Sequence, residues 1–295
     1  MKLATFLLDG APAVGRIEPD GSGIVPLAAL VGERAPADML ALIARYDAVR
    51  ETLLAADGAP VELAGGALLA PIPRPARNIM CVGKNYYDHA REFGGSGFDS
   101  SVGTGGELVP DAPIIFTKVP ESVIGDGIPI RYPAGVSDAL DYEAELAVVI
   151  GRGGRGIGKA DALHHVFGYT IVNDVTARDW QGRHKQWFLG KSFDTFCPMG
   201  PWIVTADEVD VASLEVRCWV NDQLRQRANT RDLIFDVPTL IETISAGITL
   251  YPGDVIATGT PAGVGIGFKP PKFLRPGDVV RIAIEGIGTL TNAVG

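Results

Sequence analysis

Asp141-Tyr142-Glu143-Ala144-Glu145 runs directly into Leu146-Ala147-Val148-Val149-Ile150, placing acids at the mouth of an apolar strand. The side-chain period of a strand is two, so Glu143 and Glu145 share one face. Carboxylates so placed repel each other and resist desolvation unless something cationic lies between them. A divalent metal meets both demands; the plainer alternative is a strand with one wet face. Asp174 adds a third carboxylate, just beyond the apolar run Tyr169–Val172. With no Cys or His nearby, the set is hard and all-oxygen, which points to Mg²⁺ or Mn²⁺ rather than zinc. Ca²⁺ is a less natural choice where a catalytic metal needs open positions.

A second constellation lies in Asn85-Tyr86-Tyr87-Asp88-His89-Ala90-Arg91-Glu92. Asn85 can cap a short helix, on which His89 and Glu92, three apart, fall on one face. A carboxylate beside an imidazole orients it and raises its basicity, as a general base near neutral pH requires; on many helices the same spacing is only a solvated pair. Arg178 and Gln181 follow Asp174, and Lys191 follows in Gly190-Lys191-Ser192. If Asp174 binds metal, Arg178 and Lys191 suit an anionic substrate. Thr258-Gly259-Thr260-Pro261-Ala262-Gly263 offers backbone N–H groups and a hydroxyl after another strand. Gly151-Arg152-Gly153-Gly154-Arg155-Gly156 matches a dinucleotide-binding pattern. The next strand begins near Tyr169, however, too soon for a parallel crossover. His164, His165 and His184 form no metal or nucleophile pattern and read as structural or surface residues.

The elements that must hold these groups are short. The 295 residues include 37 Gly and 21 Pro, well above average usage and without a repeat, so bundles, coiled coils and collagen are excluded. Strand-length apolar runs recur at Ile79–Val82, Ile114–Phe116, Leu146–Ile150, Tyr169–Val172, Trp202–Val204, Val216–Val220, Val255–Ala257 and Val279–Ile284. Only short helices fit between them, near Tyr86–Glu92, Ala160–Val166 and Val237–Ala246, which favours a mixed or antiparallel sheet. Residues 1–70 read as a small leading unit: a strand at Leu3–Leu8, an Asp9-Gly10 turn, a strand near Val14–Ile17 and a helical stretch from Ala37 to Ala56. Pro71-Ile72-Pro73-Arg74-Pro75 marks the boundary with a domain spanning 71–295. The glycine-rich stretch Gly94–Gly106 reads as a lid.

The net charge of −9 disfavours nucleic acid and anionic lipid as partners. No apolar run approaches a membrane span, and the first residues are too short for a signal peptide. Cys81, Cys197 and Cys218 fit reduced thiols in the cytoplasm.

Taken together the segments resemble the fumarylacetoacetate hydrolase family, specifically its smaller members related to acylpyruvate hydrolases. The carriers are VGKNYYDHAREF (82–93), DYEAELAVVIG (141–151), GYTIVNDVTARDWQ (168–181), GKSFDTFCPMGPWIV (190–204), GDVIATGTPAGVG (253–265) and RPGDVVRIAIEGIGTLTN (275–292). The resemblance implies a mainly β fold with short helices (α+β), a mixed β-roll or sandwich-like barrel that is generally a homodimer. It implies Mg²⁺ or Mn²⁺ on Glu143, Glu145 and Asp174, a water-activating dyad at His89 and Glu92, and an enolate held by the metal and Lys191. Substrate contacts would come from Arg178, Gln181, Lys191 and Thr260. A fourth metal-binding Asp of the larger fumarylacetoacetases does not map onto the segment before His89, which suggests water there. The expected activity is hydrolysis of a carbon–carbon bond in a small anionic 2-oxo acid or 1,3-diketone. The alternatives are oxaloacetate decarboxylation, or tautomerase, isomerase and hydratase chemistry on the same scaffold. The non-enzyme alternative is a metal-stabilised oligomeric binding protein.

Overall fold

A computed structural model of the chain describes residues 1–63, 67–97 and 109–295. In chain order the main elements are β1 (Lys2–Leu8), β2 (Ala11–Ile17), β3 (Gly23–Pro26), α1 (Leu27–Val31), α2 (Met39–Ala44), α3 (Tyr46–Ala55) and β4 (Val61–Glu62). There follow β5 (Ile79–Gly83), α4 (Tyr87–Gly94), β6 (Ile114–Lys118), β7 (Val123–Ile124), β8 (Leu140–Asp141), β9 (Ala144–Ile150), β10 (Val166–Asn173) and β11 (Thr176–Ala177). The remainder comprises α5 (Arg178–Arg183), α6 (Phe188–Lys191), β12 (Cys197–Thr205), β13 (Glu215–Val220), β14 (Gln223–Asn229), α7 (Val237–Ser245), β15 (Val255–Ala257), β16 (Val279–Ile284) and β17 (Gly288–Ala293).

The large sheet runs β4-β3-β2-β1-β12-β10-β9-β15-β5-β6, with β7 pairing β12 as a side branch. Most pairs are antiparallel; β15 with β5 and β12 with β7 are parallel. A second sheet, β14-β13-β16-β17, packs against it. Every residue of β9 is buried, because both faces of this central strand are covered. Leu146 and Val148 join the core shared with β13 and β16, through Val216, Cys218, Val280 and Ile282. Ala147 and Val149 join the core shared with Met39 and Leu42 of α2 and Leu53 of α3. A strand buried on both sides reads as a continuous apolar run, which is why LAVVI does not alternate.

The apolar runs all fall in strands, and the Asp9-Gly10 turn has both residues at positive φ, 51° and 79°, as a twisted hairpin requires. The leading strands do not stand apart: Leu3 pairs Ile203 of β12, and Leu3, Val14 and Val25 share a core with Val172, Cys197 and Met199. Three local expectations are corrected. The stretch 37–56 is two helices, broken at Arg45, which leaves helical geometry at φ −121°, ψ 10°. The segment 160–166 forms only a 3₁₀ turn at Ala162–His165. It connects β9 to the antiparallel β10, so the glycine-rich turn at 151–156 opens no parallel crossover. Asn85 does not cap α4, whose N-cap is Tyr86 without a side-chain bond. The Asn85 amide instead donates to the carbonyls of Phe235 (3.0 Å) and Thr258 (2.8 Å) and accepts from Phe235 N–H (2.8 Å). At a fully buried position, satisfying three backbone groups outweighs one cap at a helix end.

Candidate metal centre and cleft

Glu143 precedes β9 and Asp174 follows β10, two neighbouring strands in which Ala144 pairs Asn173 and Glu145 pairs Val172. The strand ends are locked: Asp174 N–H donates to Glu143 O (2.9 Å) and Glu143 N–H to Asn173 Oδ1 (3.0 Å). This lock brings one carboxylate oxygen from each of Glu143, Glu145 and Asp174 within 4.8 Å of the others, all three side chains buried. Glu145 also accepts from Gly259 N–H at 2.8 Å. Gly259 has φ +104°, a conformation L side chains rarely adopt, so the Thr258–Gly263 turn presents a backbone N–H to the cluster as its sequence suggested.

Three cations surround the acids. Lys191 Nζ lies 2.7 Å from both Glu143 Oε2 and Asp174 Oδ2. Arg178 places Nη2 2.6 Å from Glu143 Oε1, Nε 2.8 Å from Asp141 Oδ2 and Nη1 3.1 Å from Gln181 Oε1. Lys118 Nζ donates to Asp174 Oδ1 (2.7 Å), to Val175 O (3.1 Å) and to the carbonyl of Lys191. Burial alone would raise the Glu143 carboxyl, but Lys191 and Arg178 hold it at about 2. Glu145 goes the other way: burial, then the charges of Asp174 and Glu143, push it well above the carboxylate range. Burial works against Lys191 as well, yet Asp174 and Glu143 outweigh it and raise its pKa.

Three buried carboxylates, one of them resisting ionisation, bring an oxygen each within 4.8 Å of the others and form a hard oxygen set. That donor chemistry fits a divalent cation.

On α4, His89 is buried, its Nδ1 3.4 Å from Glu92 Oε2. Glu92 is anchored from the far side by Gly263 N–H, at 3.0 and 3.1 Å from its two oxygens. A narrow cleft is lined by His89, Glu143, Glu145, Arg178, Gln181, Lys191 and Thr260, together with Val82, Gly83, Lys84, Phe93, Phe116 and Trp187. Seven of the nine residues singled out from sequence thus line one cavity. The other two stand directly behind it: Asp174 touches Lys191, and Glu92 touches His89.

Sequence reasoning missed three supporting residues. Lys118 ends an apolar run 56 positions from its partner Asp174. Asp141 heads the acidic motif yet stands outside the three-carboxylate cluster, accepting from Arg178 and from the N–H groups of Gly265 (2.6 Å) and Ile266 (3.1 Å). Gln226 donates to Thr260 Oγ1 and accepts from Ala144 N–H. Of these only Asp141 left a signal, an acid leading into an apolar strand. The lid expected at Gly94–Gly106 falls largely on residues 98–108, outside the described residues; α4 ends at Gly94.

A model of the fumarylacetoacetate hydrolase C-terminal family matches residues 78–295. Oxaloacetate tautomerase YisK of Bacillus subtilis (strain 168) is 54% identical over 229 residues, 77% of this chain and 73% of that protein. A solved fumarylacetoacetate hydrolase from psychrophilic Exiguobacterium antarcticum superposes with a TM-score of 0.83 at 43% identity, covering 100% of this chain and 99% of that one. Maleylpyruvate hydrolase from Sphingobium sp. SYK-6, solved in complex with manganese(II) and pyruvate, has a TM-score of 0.80 at 36% identity, covering 100% and 98%.

Proposed function

This chain belongs to the fumarylacetoacetate hydrolase family, and on that premise we propose that it is a divalent-metal-dependent tautomerase of oxaloacetate or a close 2-oxo acid. The observation that carries this reading is the 54% identity to a protein named for that activity. Carbon–carbon hydrolysis, placed first on sequence grounds, becomes the second reading, favoured by the hydrolase neighbours. The oxaloacetate alternative moves ahead of it. No helix among the described residues is long and apolar enough to cross a membrane.

Tautomerisation moves one proton: the C3–H bond breaks, C2=C3 forms, and the C2 carbonyl becomes an enol. In the keto-to-enol direction His89 takes the proton from carbon 3 and delivers it to the carbon-2 oxygen, and in the reverse direction it carries it back, with Glu92 orienting its ring and the Gly263 N–H fixing Glu92. Arg178 and Lys191 hold positive charge beside the substrate carboxylate and the oxygen on which negative charge develops. Thr260 and Gln181 supply neutral polar contacts. Mg²⁺ or Mn²⁺ held by Glu143, Glu145 and Asp174 would supply Lewis-acid polarisation of the carbonyl.

The test is the decay of the enol absorbance of oxaloacetate, with and without Mg²⁺ or Mn²⁺. Metal-dependent acceleration over the spontaneous rate supports the proposal. No acceleration, alongside metal-dependent cleavage of acylpyruvates, would move the assignment to the hydrolase.

A further inference from the structure

The cleft has two unlike walls. One is charged, built from Glu143, Glu145, Arg178 and Lys191; the other is aromatic, built from Phe93, Phe116 and Trp187. Trp187 is 7% exposed. It stands edge-on to both rings, with centroids 5.8 Å from Phe93 at 87° and 5.2 Å from Phe116 at 73°. Such edge-to-face pairs resist rotation, because swinging the indole aside forfeits both contacts. The indole is also seated on bare backbone. A Cβ at Gly83 would lie 2.2 Å from Trp187 Cζ3 and 2.7 Å from Cη2, so this wall requires the glycine that closes β5. Val264 and Ile266 complete the apolar cluster around it. Trp187 O accepts from Lys191 N–H at 3.1 Å, so the wall and the ammonium belong to one helical turn and their separation is fixed.

We propose that Trp187 is the specificity-determining residue of this cleft: its indole ends the space beyond the metal-binding carboxylates and confines the site to short 2-oxo acids of the four-carbon class, excluding long or aryl tails. The inference rests on the reading of the cleft as a 2-oxo acid site. Nearly buried and clamped between Phe93 and Phe116, the indole is a wall of the cleft that does not yield to a longer tail. Truncating the indole opens the cleft at this wall while leaving every charged group in place.

The experiment titrates oxalate, pyruvate and benzoylpyruvate into the Mg²⁺-loaded full chain by calorimetry, for the wild type, Trp187→Phe and Trp187→Ala. Oxalate and pyruvate report the charged end; benzoylpyruvate adds the bulky tail. The expected result is that Trp187→Ala shifts the benzoylpyruvate-to-oxalate affinity ratio towards the bulky ligand by about tenfold or more, with a smaller shift for Trp187→Phe. An unchanged ratio in folded variants overturns the proposal. If Trp187→Ala does not fold, Trp187→Phe decides alone, and its unchanged ratio has the same meaning. Failure of the wild type to bind any of the three would overturn the 2-oxo acid reading itself, a result distinct from binding without size preference.

Discussion

His89 and Lys191 touch the same cleft but answer to different partners, and mutation separates them. His89 contacts Glu92 and stacks near Phe93, while the metal-binding oxygens belong to other elements. His89→Ala is therefore expected to lower kcat by about 10²- to 10⁴-fold with Mg²⁺ affinity by calorimetry unchanged; near-wild-type turnover would remove His89 from the mechanism. Lys191 sits among the acids, its ammonium on Glu143 and Asp174. A divalent cation must share those oxygens with it, and two like charges within a few ångströms repel by several kcal/mol at protein dielectric. Lys191→Met should thus tighten Mg²⁺ or Mn²⁺ binding by about tenfold or more while lowering turnover. Weaker metal binding in that variant would show that the ammonium supports the site rather than competes with it. Glu143, Glu145 and Asp174 were readable from sequence because strand periodicity and strand ends place them. Lys118 was not, since only the fold brings residue 118 to residue 174.

The elements meet at loops, and there single atoms decide the fit. The Glu92 carboxylate lies against Gly267, where a Cβ would come within 1.9 Å of Oε1. Gly267→Ala should push Glu92 off its Gly263 anchor and lower kcat while leaving metal affinity intact; an unaltered kcat would mean that Glu92 does not orient His89. Far from the cleft, Asp236 caps α7, accepting from Thr239 N–H at 2.9 Å. Asp236→Ala is expected to cost about 1 kcal/mol at pH 7 in denaturant titrations. Burial acts to raise the Asp236 carboxyl, but the hydrogen bonds from Thr239 and the nearby Lys159 leave it lowered. A lowered acid stabilises the fold above its ordinary value, and that stability is lost as pH falls. The gap between wild type and variant should accordingly close below about pH 4; a gap that persists there would contradict the cap. Element by element, apolar strands were legible and polar ones were not. β14, QLRQRAN, carries no apolar alternation, yet it supplies Gln226, whose buried amide joins the second sheet to Thr260 and Ala144. The helices α5 and α6, six and four residues long, are too short to declare themselves by propensity and depend on tertiary packing.

At the scale of the molecule, the leading strands continue the sheet that carries the site. β12 pairs β10, the strand that leads to Asp174, along one side; on the other it is met by β1 at Ile203–Val204 and by β7 at Cys197–Pro198. The segment at 71–75 reads as a boundary because its prolines cannot continue a helix or a central strand, whereas hydrogen bonds between distant strands leave no local mark in the sequence. Thr5 Oγ1 even donates to Pro71 O at 2.7 Å. A chain begun at residue 71 would leave the Ile203–Val204 stretch of β12 with its N–H and C=O groups unpaired. It would also uncover the core shared with Leu3 and Val25. Such an edge is a template for another strand, so the shortened chain is expected to self-associate or precipitate, and a monodisperse, metal-binding fragment by light scattering would contradict this. The leading strands, which supply none of the residues lining the cleft, would on this expectation serve as an edge guard that keeps the sheet behind the carboxylate cluster from recruiting its own copies.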